Sequence, residues 1–167
     1  MPLAFLALAI VIAIWLIDAR NSSLIVIVRH AETATASGAQ SSLSVAGQTR
    51  AQNLLMQLQQ AKPGRGVDAI YVGEGDANQQ TAAPMAQQMG LAINVVPAAD
   101  WSNLAGLISR NHAGEVVVVI ADQAEVKALL ARYTNAASYR WDEQDYGSLF
   151  IIAKSELSKA AVLHLRY

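Results

Sequence analysis

The 167-residue chain contains no cysteine. That excludes thiol catalysis, cysteine-ligated zinc and disulfide staples, and leaves the redox compartment open. Charge is sparse as well: Asp, Glu, Lys and Arg make up 15% of the residues, the net charge is -1, and cations occur only singly. Nucleic acid is therefore not an expected partner, because a phosphate backbone needs a clustered cationic face. Internal repeats and low-complexity tracts are absent. What is abundant is apolar surface, at 53% of residues, enough for a core of ordinary size without metal or disulfide support.

Part of that excess is N-terminal. Residues 1–17, MPLAFLALAIVIAIWLI, carry no charged side chain and are followed by Asp18, Ala19 and Arg20. As a helix this run spans about 25 Å, slightly short of a hydrocarbon core of about 30 Å. With Asp18 and Ala19 at the interface it reaches across a thin membrane, and Trp15 suits a headgroup boundary. No Lys or Arg precedes it, and residues 17–19 make only a loose cleavage site. We read residues 1–19 as a membrane anchor or signal segment, with a partner-docking helix as the alternative, and residues 20–167 as one domain. The expected location is membrane-anchored or exported, facing the periplasm if the source is bacterial. The expected contact with the membrane is through residues 1–17.

Beyond the linker, strand and helix patterns alternate. Short β-branched runs predict strands at 23–29, 68–72, 92–96 and 115–121. Helical spacing predicts helices at 45–61 with Ser44 as N-cap, 78–89 closed by Gly90, 101–110 and 124–133. Two late strands, 148–153 and 160–165, are joined by a polar turn and expected to be antiparallel. The sum predicts an α/β fold: a three-layer α/β/α sandwich with a mostly parallel sheet, a late antiparallel strand and the N-terminal apolar helix. In such folds ligands sit outside the carboxyl ends of the strands.

After the first strand comes Val28-Arg29-His30-Ala31-Glu32-Thr33. A guanidinium can fork onto a phosphate, and an imidazole can be a nucleophile or an acid-base group. The plainer reading is a strand-end arginine in a surface ion pair beside a solvated histidine.

Five segments in order carry a resemblance. Arg29 to Thr33 is similar to an "RHG" motif, and Leu43-Ser44-Val45-Ala46-Gly47-Gln48 to an "LTPEG(R/Q)" helix start. Asp68 to Val72 with Gln80 to Pro84 is similar to "D-x-IYSSPLxRAxQTAxP". Glu115 to Leu130 is similar to "xVLVVSHGxxIRALL", and Asp142 to Phe150 to an acidic-aromatic stretch entering a late strand. Together they resemble the histidine phosphatase (phosphoglycerate mutase-like) superfamily over nearly the whole domain, in particular its small exported members.

In that family the first-motif histidine attacks phosphorus, a second arginine and second histidine help surround the phosphoryl oxygens, and a carboxylic acid protonates the leaving group. The resemblance implies Arg29 and His30 as the phosphate-binding pair. The second arginine falls on Ala77 and the second histidine on Asp122, so the chain is identified as a degenerate member. Glu74 and Asp76 flank the missing arginine. The implied function is a pseudophosphatase that binds a ligand or protein near a membrane, its partner a phosphorylated small molecule or protein. The alternative is an active phosphomonoesterase with His30 as nucleophile and Asp122 as acid. No cofactor is expected. A metal site from His30, Glu32, Glu74 and Asp122 is conceivable, although nothing in the spacing demands it, and Glu32 is equally suited to neutralising Arg29. His112 reads as a helix-end cation or solvated turn residue, His164 as structural or exposed, and 143–145 as a solvated acidic loop.

Overall fold

The computed structural model describes residues 22–34, 41–60, 66–133, 144–154 and 160–167. The expected N-terminal apolar helix lies outside them. Among the described residues no helix is long and apolar enough to cross a membrane.

The β-branched runs form β1 (Ser23–Arg29), β2 (Ala69–Gly73), β3 (Ile93–Val96), β4 (Val116–Ala121), β5 (Ser148–Lys154) and β6 (Ala161–Arg166). Between them lie α1 (Val45–Gln60), α2 (Asp76–Met89), α3 (Trp101–Asn111) and α4 (Gln123–Tyr133), with a short 3-10 turn over Ala98–Asp100. The strands make one sheet in the order β3-β2-β4-β1-β5-β6. β1, β2, β3 and β4 are mutually parallel, while β5 runs antiparallel to both β1 and β6.

Alternation along the central strands divides the core. Ile25 and Ile27 of β1 join Val117 and Val119 of β4 on one face, packed by Leu104, Ile108, Val126, Leu129 and Leu130 of α3 and α4. Val26 and Val28 join Val118 and Ile120 on the other, under Leu54 and Leu55 of α1 and Ala82, Met85 and Ala86 of α2. Every residue of β4 is buried, as a strand covered on both faces must be. The expected sandwich is therefore present.

Helix ends follow their local chemistry. The Ser44 hydroxyl accepts from the Gly47 backbone N–H at 3.0 Å, satisfying one of the unpaired donors of the α1 first turn. Gly90 closes α2 at a φ of 67°, a left-handed conformation that glycine adopts without a steric penalty. α2 begins at Asp76, two residues earlier than its pattern suggested, because its N-cap is Gly75, with no side-chain cap to mark it.

Ile27 is fully buried at the centre of the sheet. Ile27→Ala should lower the unfolding free energy by about 2–5 kcal/mol, the usual range for truncating an aliphatic side chain in a close-packed core. Urea denaturation monitored by circular dichroism measures it.

Candidate functional site

The site is assembled by strand register. β1 and β4 pair from Leu24↔Val116 to Arg29↔Ala121, so the next residue on each strand, His30 and Asp122, emerges at the same edge. The His30 N–H continues the ladder onto the Ala121 carbonyl at 3.1 Å. Because β5 is antiparallel, the residues preceding it arrive at this same edge, which brings Tyr146 beside Arg29.

The His30 imidazole is fixed at one nitrogen. Nδ1 lies 2.7 Å from the Ala31 carbonyl oxygen. A carbonyl only accepts, so Nδ1 carries the proton and, in the neutral ring, the lone pair is on Nε2. Nε2 faces the Asp122 carboxylate, 3.5 Å from Oδ1. The His30 side chain is 12% exposed and that of Asp122 60%. Arg29 lies over the Tyr146 ring, its Cζ 4.0 Å from the centroid, and its Nη2 donates to the Tyr146 hydroxyl at 3.3 Å. The Tyr146 ring also meets His30 edge-on, with centroids 6.0 Å apart.

Asp122 is held from the side by Asn78, whose Nδ2 donates to Oδ1 at 3.1 Å. Asn78 is buried, at 2% exposure. Its Oδ1 has no hydrogen-bond partner among the described residues, a placement that ordinarily costs about 1–3 kcal/mol. Room for the amide comes from Gly73: a Cβ there would stand 2.7 Å from Asn78 Nδ2.

Ala77 sits in the first turn of α2, buried in a small cluster with Ala31, Leu43 and Ala51. That turn is fastened to the loop after His30 through Thr81, whose hydroxyl accepts from the Ala31 N–H at 2.9 Å and donates to the Ala77 carbonyl at 2.7 Å. Of the residues singled out from the sequence, the structure thus brings Arg29, His30 and Asp122 to one edge. Ala77 packs against the residue next to His30.

Several expectations are corrected. Glu32 is bonded directly to Arg50, with Arg29 a weaker favourable charge nearby: Arg50 Nε donates to Oε1 and Oε2 at 2.9 and 2.8 Å, and Nη2 to Oε1 at 2.6 Å. The hydrogen bond from Arg50 holds the Glu32 carboxyl below the usual glutamate range, against the effect of burial. Arg50 also donates to the Tyr167 carbonyl at 3.1 Å, and the Tyr167 hydroxyl is pushed up by burial. Glu74 turns away, its carboxylate accepting from the Ala98 N–H at 3.1 Å. Among the described residues no group of three His, Asp or Glu side chains is placed to hold a metal ion.

Asp145 is not a solvated loop acid. It accepts from the Gly147 N–H, the Ser148 hydroxyl and Arg166. Those contacts hold its carboxyl below the ordinary value despite the opposing effect of burial. His112 is a part-buried link, with Nδ1 2.6 Å from Glu115 and Nε2 2.8 Å from the Tyr71 hydroxyl. His164 is exposed yet structural, stacked on Phe150 and bonded to Ser148.

Asn78, Gly73, Arg50 and Tyr146 were not singled out as site residues. A readable signal existed for the first: Asn78 stands where the resembled segment has alanine.

The Glu32–Arg50 pair carries a pH dependence. Because the folded carboxyl titrates below its unfolded value, its stabilisation is complete above the unfolded pKa and disappears as pH falls through the folded one. Glu32→Gln should lower the melting temperature at neutral pH and flatten its decline below about pH 4.5, as read from thermal melts across a pH series.

No protein-family model matches the chain, and no curated protein matches it either. Solved structures do. The protein histidine phosphatase SixA, complexed with tungstate, superposes with a TM-score of 0.67 at 17% identity, over 86% of this chain and 96% of that one. An alpha-ribazole phosphatase from Shigella flexneri gives a TM-score of 0.65 at 17% identity, over 86% and 96%. A phosphoglycerate mutase from Plasmodium falciparum gives 0.61 at 13% identity, over 87% and 91%. The shared architecture extends over nearly the whole of each of these molecules, and it is the fold of the histidine phosphatase superfamily.

Proposed function

We propose that this protein is a pseudophosphatase: a histidine phosphatase-fold domain that binds a ligand or protein partner and does not turn over phosphate esters. The observation that carries the reading is the Asp122 carboxylate 3.5 Å from His30 Nε2. A nucleophile and its target atom approach to about 3–3.5 Å before reaction. The shell in which phosphorus would have to sit therefore already holds a carboxylate oxygen.

Electrostatics point the same way. A unit charge about 4 Å from a like charge costs about 4 kcal/mol at an effective dielectric near 20, and a phosphoryl dianion feels more. The second cation of the resembled site is replaced by Ala77, and each lost donor to a developing oxyanion typically costs about 10²–10³ in rate. SixA was captured with tungstate, a tetrahedral oxyanion. A tetrahedral oxyanion entering the pocket beside His30 would have its attraction opposed by Asp122.

One observation favours the second reading, a residual phosphohydrolase. In the neutral ring the hydrogen bond from Nδ1 to Ala31 leaves the lone pair at Nε2, which is the tautomer a phosphorus-attacking imidazole needs. Asp122 would then serve as the acid.

The full-length chain, incubated with p-nitrophenyl phosphate, should release no more p-nitrophenol than its His30→Ala variant. Turnover that disappears in His30→Ala would overturn the pseudophosphatase reading and favour the hydrolase.

The tether is proposed on sequence alone. Residues 1–17 lack any charged side chain, and this supports an anchor that keeps the domain beside a membrane. On that reading the full chain stays with membranes through an alkaline carbonate wash, while residues 22–167 are released. Release of both would refute the anchor.

A further inference from the structure

We propose that Asn78 is a positioning residue that sets the selectivity of this site against tetrahedral oxyanions, by holding the Asp122 carboxylate over His30 Nε2. The inference rests on the non-catalytic reading of the pocket and adds the device that enforces it.

Asp122 alone would not block the pocket. Its side chain is 60% exposed, follows the last residue of β4, and could rotate into solvent to make way for an incoming anion. What fixes it is the Asn78 amide at 3.1 Å. That amide is itself enclosed, being 2% exposed in the first turn of α2. The donor must be Nδ2, because Oδ1 facing a carboxylate would set two acceptors against each other.

Gly73 completes the interlock. It ends β2, next to β4 in the sheet, and its missing Cβ is the space the amide occupies. A methyl group there would stand 2.7 Å from Nδ2 and 3.3 Å from Cγ of Asn78. Among the described residues Asn78 Oδ1 has no hydrogen-bond partner, so the contact to Asp122 is the one its amide makes there. One end is left unsatisfied while the other restrains Asp122. An asparagine serving only the fold would be expected to use both ends.

Isothermal titration of the full-length chain in detergent, with sodium tungstate and with inorganic phosphate as probes, tests this. The native chain should bind neither anion at millimolar concentration. Asp122→Asn, which removes the charge and keeps the shape, should bind both. Asn78→Ala should raise oxyanion affinity at least tenfold with the melting temperature unchanged. Gly73→Ala, which forces the amide out of its seat, should produce the same gain by an independent route.

Because Asn78 acts through Asp122, the double variant Asn78→Ala with Asp122→Asn should bind no tighter than Asp122→Asn alone. A gain in Asp122→Asn with none in Asn78→Ala or Gly73→Ala would overturn the positioning role while leaving the pocket reading intact. No gain in Asp122→Asn would overturn the placement of its carboxylate on the oxyanion position. Tight phosphate binding and His30-dependent turnover by the native chain would instead remove the pseudophosphatase reading, and this inference with it.

Discussion

The parallel pairing of β1 with β4 governs the rest of the molecule. Both strands are buried on both faces, so their side chains are sorted residue by residue into two cores, and a slip of one position would exchange the two sets. Register is therefore fixed by packing, with no contribution needed from the site. The approach of His30 to Asp122 follows from it, since each is the first residue past an in-register pair, Arg29↔Ala121. Tyr146 reaches the same edge because β5 enters antiparallel, with Leu149 opposite Val28.

The charges at this edge are spent internally. Arg29 is engaged with Tyr146. Arg50, the next guanidinium along the chain, is engaged with Glu32 and the Tyr167 carbonyl. The Glu32 backbone is equally constrained: a Cβ at Gly47 would collide with its carbonyl oxygen, and that contact draws the start of α1 down onto the loop after His30. The scaffold around the first half of the pocket is thus closely packed. On the proposed reading the site keeps its frame and loses its chemistry, because the frame is built by packing and the chemistry by a few side chains.

Much of this was legible in the sequence. The β-branched runs of β1 and β4 and the helical spacing of α1 and α4 contain their own periodicity, and strand ends are where such folds place ligands. Asp122 could be assigned to the pocket because the resemblance puts the family's second histidine on it, directly after a strand. The start of α2 could not be read, since Gly75 caps it without a side-chain hydrogen bond. The partner of Glu32 was out of reach as well. Arg50 lies 18 residues away on a helix, and sequence distance says nothing about which cation the folded chain delivers. For Asn78 the sequence offers only its departure from the alanine of the resembled segment; its role depends on Gly73 and Asp122, which the fold sets on either side of it.

Those three residues also bear on how the chain could change over evolutionary time. Serine at position 73, as in the resembled segment, would strike the Asn78 amide while that amide is in place. Alanine at position 78 would loosen Asp122 yet bring no second cation to stabilise a transition state. Arginine at position 77 would have to leave a cluster of small apolar side chains and settle beside a carboxylate still fixed in the pocket. On the proposed reading, none of these three substitutions alone both opens the anion position and brings a second cation. On the proposed non-catalytic reading the interlock would act as a ratchet, since each of these changes does little for phosphoryl chemistry until the others are made.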